Sequence, residues 1–345
     1  MTNAFLRSPL WGDLFTDPDL AAHFTAEAFL KRMLAFEAAW TGAMPEDDAR
    51  AAAASAIAGF APDWQAMARG AAVDGVPVPE MVRQLRDAAP EAGAALHKGA
   101  TSQDVIDTAM VLTLRDALSA MHARLDPLLD RLEALDRTEG EAALMGRTRM
   151  QAALPITVAQ RVRSWRGPLT LERDALVTAQ ERLSVVQIGG PVGAREVGED
   201  FARAVAERLD LRLGPVWHTD RRLMVDTGHR LTTLAGVLGK MGMDVTLMAQ
   251  QGIDAARLTG GGSSSAMPHK QNPVLAETLV TLAHYVAGQQ ATLAQALVHE
   301  QERSGMAWAL EWLTLPAMAE ATAAALRHAT ALAGRIAALG DGAQD

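Results

Sequence analysis

A seam of apolar residues, spaced three and four positions apart, constrains this chain more than any other feature. The seam runs through Val111, Leu114, Leu118, Met121, Leu125, Leu128, Leu132 and Leu135. This spacing places the side chains on one face of an α-helix, because 3.6 residues make one helical turn. Pro127 falls within the seam and predicts a kink there. A helix with such a long apolar face needs other helices to cover it.

Two further seams have helical spacing, and no part of the sequence alternates convincingly in the way that a β-strand does. The first contains Leu231, Leu234, Leu238, Met241, Val245 and Met248, and the second, looser one contains Leu275, Leu279, Leu282, Val286, Leu293 and Leu297. Three long helices predict an all-α protein built on an up-down helix bundle. An apolar face left uncovered would need a partner chain, so we expect an oligomer.

Glycine and proline clusters separate the predicted helices. They lie at residues 74–79, 189–193, 214–215 and 260–268. We place a domain boundary near residue 93. This division predicts a small N-terminal helical domain, residues 1–93, followed by a long-helix bundle, residues 94–345.

Charge and composition exclude several classes of partner. The chain has 41 acidic and 32 basic residues, a net charge of −9, whereas nucleic acids need a basic surface. It has no cysteine, which excludes disulfides and thiolate metal sites and fits a reducing compartment. No apolar run approaches the length of a membrane span, and the first residues do not resemble a signal peptide. We therefore expect a cytoplasmic protein that binds neither nucleic acid nor membrane.

The most specific motif follows the last glycine cluster. Residues 263–273 read Ser-Ser-Ser-Ala-Met-Pro-His-Lys-Gln-Asn-Pro, which resembles the signature loop of the aspartase/fumarase superfamily, although Ser263 stands in place of the last glycine. The resemblance implies a loop that closes over substrate, with Ser264 and Lys270 as catalytic residues and Asn272 as a carboxylate ligand. A dry, closed loop could lower the pKa of a serine hydroxyl. A plain glycine/serine linker would not explain the fixed Met-Pro-x-Lys-x-Asn spacing.

A second motif lies at residues 97–108, which include Thr-Ser-Gln-Asp-Val-Ile-Asp-Thr. It resembles the Thr-Ser-x-Asp-x-x-Asp-Thr region of the same superfamily, which implies that Thr101 and Ser102 bind a substrate carboxylate. Free N–H groups at the start of a helix favour such an anion, but helix capping explains the two residues equally well. His97 stands where adenylosuccinate lyases have a catalytically important histidine. A structural role is its alternative.

The third motif, residues 146–155, resembles the superfamily's Gly-Arg-Thr-His-x-Gln region, with Arg149 in place of the histidine. Arginine cannot act as a base, because its pKa stays above about 12. It can hold a carboxylate through two hydrogen bonds. We therefore expect Thr148, Arg149 and Gln151 to bind substrate. A solvated polar face is the alternative for the arginines.

Two more segments resemble the muconate cycloisomerase branch of the superfamily. Residues 215–221 read Pro-Val-Trp-His-Thr-Asp-Arg, and residues 299–316 contain Glu-Arg followed by Trp and Glu-Trp-Leu-Thr-Leu-Pro. The resemblance implies that His218 and Arg303 contact substrate. Trp308 and Trp312 share one helical face and are more typical of packing. His218 could instead be only a residue at a helix start.

The resemblance extends from about residue 8 to about residue 316 and implies a specific reaction. In that branch, a carboxylate of 3-carboxy-cis,cis-muconate adds to a carbon–carbon double bond, and protonation of the aci-carboxylate gives 4-carboxymuconolactone in protocatechuate (β-ketoadipate) degradation. It also implies no metal or organic cofactor, a polycarboxylate substrate, and a homotetramer whose sites are shared between subunits. We expect the superfamily's C-terminal domain to be truncated or absent. Another lyase, such as adenylosuccinate lyase, and a non-catalytic helical bundle are the alternatives.

Overall fold

The computed structural model describes residues 8–263 and 271–343. Twelve α-helices lie within these ranges, and they confirm the predicted all-α class. The helices are α1 (Gly12–Phe15), α2 (Pro18–Ala21), α3 (Ala26–Gly42), α4 (Asp48–Ala58), α5 (Trp64–Asp74), α6 (Val78–Ala88), α7 (Ser102–Glu139), α8 (Val158–Leu183), α9 (Glu199–Arg208), α10 (Arg222–Met248), α11 (Val274–Leu293) and α12 (Met306–Ala333). Short 3-10 turns occupy Ala22–Phe24, Pro90–Ala95 and Ala294–Leu297.

Six short strands form three antiparallel pairs in the described part of the chain. Strand β1 (Ala143–Thr148) pairs with β2 (Gln151–Thr157), β3 (Ala256–Leu258) with β6 (Ile336–Leu339), and β4 (Gly262–Ser263) with β5 (Gln271–Asn272). The sequence interpretation missed all three pairs. The first is a hairpin whose pairing ends at Thr148 and Gln151, and its residues lack the alternating β-branched pattern of a half-buried strand.

Helices α3 to α6 form the N-terminal part, and polar side chains fix where they begin. Thr25, Asp47 and Asp63 each accept a hydrogen bond from a backbone N–H in the first turn of α3, α4 and α5, respectively. Such caps satisfy N–H groups that the helix itself leaves without partners. Helix α3 packs against α7. The domain boundary near residue 93 stays a prediction.

Helix α7 is the longest element and contains the first apolar seam. Its 38 residues span about 57 Å at 1.5 Å per residue. Thr101 and Asp104 form a capping box at its start, and it passes through Pro127 without ending. Every seam residue from Val111 to Leu132 is buried. Helices α8 and α12 cover this face, as the bundle prediction requires.

Helices α10 and α11 pack against each other in antiparallel orientation. A side chain added at Gly228 would collide with Leu293, and one added at Gly242 would lie 2.5 Å from the carbonyl oxygen of Ala276. The beginning of α10 therefore lies beside the end of α11, and the two helices approach closely because glycine has no side chain. Helices α8 and α12 complete the bundle. Among the described residues, no helix combines the length and apolarity that a bilayer crossing requires.

Candidate active site

The start of α7 brings two predicted site residues into contact. The Arg303 Nη2 group donates a hydrogen bond of 2.7 Å to the hydroxyl of Thr101 and a weaker one of 3.3 Å to the carbonyl of Pro191. Arg303 lies just ahead of α12, where the buried Ser304 hydroxyl accepts from the Ala307 N–H. Ser102 is the first residue of α7 and is half-buried. Thr101 is thus both a helix cap and a partner of Arg303, so the capping interpretation is confirmed.

Asp104 holds the predicted loop at 189–193 against this helix start. Its carboxylate accepts hydrogen bonds from the N–H groups of Gly189 (2.7 Å), Gly190 (3.1 Å) and Thr101 (3.1 Å). Burial raises the pKa of Asp104 to about 7, although the three N–H donors act to lower it. Gly190 has a φ of 66°, which glycine adopts without strain. The loop therefore lies beside Arg303, which contacts the carbonyl of Pro191.

His218 is the third predicted site residue that contacts Arg303 or Thr101, and it is buried. Its Nε2 atom lies 3.4 Å from Arg303 Nε, and its Nδ1 atom lies 3.1 Å from Gln187 Nε2. Burial, followed by the positive charge of Arg303, lowers the pKa of His218 to about 4. The imidazole is therefore neutral near pH 7. It sits ahead of α10, as the alternative interpretation proposed, yet it also lines the site.

Beneath His218 lies a buried cluster of charges. Arg221 donates to both oxygens of Asp107 at 2.7 and 2.9 Å, and to both oxygens of Glu311 at 2.8 and 2.6 Å. Trp308 Nε1 donates to Asp107 at 2.8 Å. Burial raises the pKa of Glu311 to about 7, and the negative charge of Asp107 adds to this effect, although Arg221 acts to lower the pKa. The cluster joins α7, the start of α10 and α12, and it contacts the backbone carbonyl of His218 through Arg221.

His97 lies on the same side of the molecule, four residues before Thr101. Its Nδ1 atom is 2.6 Å from a carboxylate oxygen of Glu37, a fully buried residue of α3. The backbone φ of His97 is 60°, a conformation uncommon for residues other than glycine. A carboxylate on one ring nitrogen orients the imidazole, so His97 is held in place by contacts from another helix.

The residues of the third motif lie elsewhere, on an exposed hairpin. Thr148 and Gln151 flank its two-residue turn, in which Arg149 and Met150 have φ values of 49° and 67°. Such turns usually contain asparagine or glycine, so the positive φ angles of these two larger residues indicate backbone strain in the turn. A cleft beside the hairpin is lined by Arg147, Arg149, Arg161, Asp244 and Met248. All three predicted residues are exposed.

Only part of the signature loop lies within the described residues. Asn272, in β5, pairs with Gly262 in β4 and lines a small cleft with Arg335. Ser264 and Lys270 lie outside the described residues. Asn272 is half-buried, and it comes directly before α11, near the point where α11 approaches Gly242 of α10.

The predicted residues therefore occupy opposite ends of one bundle. Thr101 and Arg149 are separated by the whole of α7, and even a fully extended segment from residue 139 to residue 149 leaves them roughly 20 Å or more apart. Asn272 lies near Gly242, about 30 Å along α10 from Arg221. The structure brings together Thr101, His218 and Arg303, with Ser102 and His97 nearby. It does not bring Thr148, Arg149, Gln151 or Asn272 to them within one chain.

Comparison with known proteins identifies the family. A family model described as lyase matches residues 19–288. The chain belongs to this lyase family. It is 33% identical to the 3-carboxy-cis,cis-muconate cycloisomerase of Acinetobacter baylyi over 93% of this chain and 75% of that protein. The crystal structure of 3-carboxy-cis,cis-muconate lactonizing enzyme from Pseudomonas putida has 35% identity and a TM-score of 0.88, over 96% of this chain and 78% of that one.

Not every similar lyase has the same name. The chain is also 33% identical to the nitrosuccinate lyase of Streptomyces davaonensis, over 81% of this chain and 66% of that protein. The lyase family therefore includes more than one activity at this level of similarity. The recognised superfamily is confirmed, and the choice among its activities depends on the site.

Several residues of this lyase site were missed from the sequence. Gln187 follows a helix without any motif, whereas Arg221 and Glu311 lie within the quoted cycloisomerase segments and could have been found there. His299 lies close enough to His218 and Arg221 to interact electrostatically with them, and both its ring nitrogens are buried without a hydrogen-bond partner among the described residues. Burial, followed by the charge of Arg221, lowers its pKa. Gln187 is revealed only by its contacts with the distant residues Trp217 and His218.

The chemistry available to this lyase is that of anion binding and proton transfer. Arg303, the N–H groups at the start of α7 and a neutral His218 provide donors at one end, and Arg147 and Arg149 provide cations at the other. Among residues 8–263 and 271–343, no group of three or more His, Asp or Glu side chains is placed to hold a metal ion. The site is suited to a polycarboxylate.

Proposed function

We propose that the chain is a lactonising cycloisomerase that converts 3-carboxy-cis,cis-muconate to 4-carboxymuconolactone. One observation carries the proposal: the match to the A. baylyi cycloisomerase over 93% of this chain. The site agrees with it, because a tricarboxylate needs several cations and Arg303 and Arg149 each offer a planar guanidinium. Arg149 also stands where a basic histidine would serve an elimination, and arginine cannot take up a proton.

The reaction follows from the substrate's own nucleophile. A substrate carboxylate oxygen forms a new bond to one carbon of the double bond, and the displaced electron pair moves toward another carboxylate as an aci-carboxylate. Arg303 and the donors beside it would stabilise that charge, an effect that is largest in a site closed to water. Ser264 would then donate its proton to the carbanionic carbon, with Lys270 close by, and regain a proton from solvent.

We further propose that each site is assembled from several subunits of a homotetramer. Thr101, Ser102, His97, His218 and Arg303 would come from one end of one subunit. Thr148, Arg149 and Gln151 on the hairpin, and Ser264, Lys270 and Asn272 on the loop, would come from the opposite ends of neighbours. The separation along α7 supports this arrangement, because one chain cannot bring both sets to one small substrate. The protein would act in the cytoplasm.

A second candidate function is an elimination on another substituted succinate. The similarity to the nitrosuccinate lyase of S. davaonensis favours it, and the sequence also leaves adenylosuccinate lyase open. A carboxylate-binding site suits all three substrates. The presence of Lys270 and Ser264 in the signature loop argues against a non-catalytic bundle, because such a bundle would not need them.

A spectrophotometric panel tests these proposals directly. The purified protein is incubated separately with 3-carboxy-cis,cis-muconate, nitrosuccinate and adenylosuccinate, and the ultraviolet absorbance of each is followed. We expect loss of the conjugated diene absorbance with carboxymuconate, and product analysis should give the lactone. Turnover of nitrosuccinate or adenylosuccinate alone would reject the cycloisomerase proposal. Turnover of none would favour the non-catalytic alternative.

A further inference from the structure

The imidazole of His218 is placed between two side chains that can both donate hydrogen bonds to it. Gln187 Nε2 faces its Nδ1 atom at 3.1 Å, and Arg303 Nε faces its Nε2 atom at 3.4 Å. A neutral imidazole has one protonated and one unprotonated nitrogen, so it accepts only one hydrogen bond in its ring plane. Only one of these two N–H donors can therefore form a hydrogen bond with the ring, and the other faces a protonated ring nitrogen.

The orientation of Gln187 decides which contact is satisfied. Its Oε1 atom accepts a hydrogen bond of 3.2 Å from the backbone N–H of Trp217, which can only donate. The amide nitrogen of Gln187 must then point toward His218 Nδ1. Gln187 is fully buried, and reversing its amide would leave two donors facing each other on the Trp217 side. His218 Nδ1 is thus the acceptor, and the proton resides on Nε2.

This tautomer determines what His218 presents to Arg303. With its proton on Nε2, His218 presents an N–H group toward the Nε–H of Arg303, and no acceptor lies between them. The 3.4 Å separation is the longest contact in this chain of groups, and Arg303 can move because its side chain is long and only partly buried. If Arg303 moves away from the ring, an anion can lie between the two N–H groups and accept a hydrogen bond from each.

We propose that Gln187 is a positioning residue that holds His218 as its Nε2–H tautomer, so that His218 and Arg303 together donate to one carboxylate of the substrate. His218 is then a donor to substrate and not a general base. The charged and titratable groups around it are Arg303, Arg221, Asp107 and His299. The low pKa of His218 agrees with a neutral ring. The carboxylate rests on the proposed function, whereas the tautomer stands independently of it.

Nitrogen-15 NMR of the full chain, labelled in histidine, tests the tautomer without any substrate. Comparison with His218→Asn assigns the signal. We expect Nδ1 unprotonated and Nε2 protonated from pH 6 to pH 8. In Gln187→Glu, a carboxylate oxygen replaces the amide donor, so Nδ1 should become protonated. In the wild type, an Nδ1–H tautomer or a doubly protonated ring would overturn the proposal. In Gln187→Glu, an unchanged tautomer would overturn it. Gln65→Glu, at an exposed position of α5, is the control and should change nothing at His218.

Two substitutions of His218 test its role as a donor. The glutamine amide nitrogen can reach the position of Nε2, whereas the asparagine amide nitrogen lies near that of Nδ1. We expect His218→Gln to retain at least tenfold more kcat/KM toward carboxymuconate than His218→Asn, with both variants folded by thermal unfolding. Equal losses, or a better asparagine variant, would contradict the donor role. An enzyme that turns over carboxymuconate but has the Nδ1–H tautomer would reject this inference and leave the proposed function intact.

Discussion

Arg221 and Asp107 form a buried ion pair in which the guanidinium donates to both carboxylate oxygens, at 2.7 and 2.9 Å. The same guanidinium also binds Glu311, and both carboxylates are about 1% exposed. One cation therefore neutralises only one of two buried carboxylates. The stability of such a cluster depends on its geometry, because each buried charge is compensated by a partner on another helix.

Removing the cation should destabilise the fold strongly. In Arg221→Met, Asp107 and Glu311 remain buried without a positive charge, and we expect a loss of about 3–5 kcal/mol in the free energy of unfolding. Arg222→Met is the matched control: the neighbouring arginine is 76% exposed and pairs with Asp220 at the surface, so its loss should cost less than about 1 kcal/mol. Urea unfolding at fixed protein concentration measures both. Similar losses in the two variants would contradict this account of the cluster.

The second carboxylate of the cluster should make stability depend on pH. Burial raises the pKa of Glu311 from 4.5 to about 7, so the folded chain binds a proton more readily than the unfolded chain. The stability that this protonation contributes is complete below about pH 4.5 and is lost as pH rises through 7. Glu311→Gln should therefore gain in stability relative to wild type, by on the order of 3 kcal/mol between pH 5 and pH 8.

Thermal unfolding across that pH range, at one protein concentration, measures the difference between wild type and Glu311→Gln. Taking the difference removes the opposite contribution of His218, whose pKa of about 4 costs stability as pH falls below 6.5. Glu302→Gln, an exposed residue ahead of α12, is the control and should follow wild type. A difference that stays constant with pH would show that Glu311 is ionised throughout.

Replacing Thr101 with serine or valine tests the importance of its hydroxyl, which caps α7 and accepts a hydrogen bond from Arg303. Thr101→Ser keeps the hydroxyl that caps α7 and accepts a hydrogen bond from Arg303. We therefore expect kcat/KM to fall by less than about threefold, which is a small effect on a scale where each tenfold change corresponds to about 1.4 kcal/mol. Thr101→Val loses both contacts. We expect a loss of about 1 kcal/mol from the cap and a fall of tenfold or more in kcat/KM. Full activity in the valine variant would exclude Thr101 from the site.

The apolar seams predicted α7, α10 and α11 because a helical face is a local pattern that repeats along the chain. The start of α7 at Thr101 was predictable for the same reason, since a capping residue and the helix it caps are adjacent in sequence. The hairpin at residues 143–157 was not, because it is exposed and carries no core-facing alternation. Its turn also uses Arg149 and Met150 where asparagine or glycine is usual.

The site was predictable as a set of residues, but not as an arrangement. Motifs indicated Thr101, His218 and Arg303 separately, and the structure brings these three together. Gln187 carries no motif, and only its contacts with Trp217 and His218 reveal its place. The opposite locations of Arg149 and Thr101 follow from the length of α7. A local sequence pattern does not predict which distant segments of the chain contact each other in the fold.

The proposed division of each site between subunits predicts that two inactive variants restore each other's activity. Ser264→Ala removes the proposed proton donor, and Arg303→Met removes an anion contact beside the start of α7. Each alone should lower turnover by a factor of 100 or more, on the scale of the loss of one group that acts in the transition state. If the two groups of one site come from different subunits, random mixed oligomers contain some sites with both groups intact.

Mixed oligomers are prepared by co-expression, or by unfolding and refolding an equal mixture, and assayed with carboxymuconate. About one quarter of the sites should then be intact, because each of two independent subunits contributes the required group with even odds. The control is an equal mixture of Arg303→Met and Thr101→Val. These residues contact each other within one chain, at 2.7 Å, so no mixed site regains both. No recovery in the first mixture would place Ser264 and Arg303 of one site on the same subunit. Recovery in the control would show that mixing restores activity without combining two groups of one chain, and would reject the test.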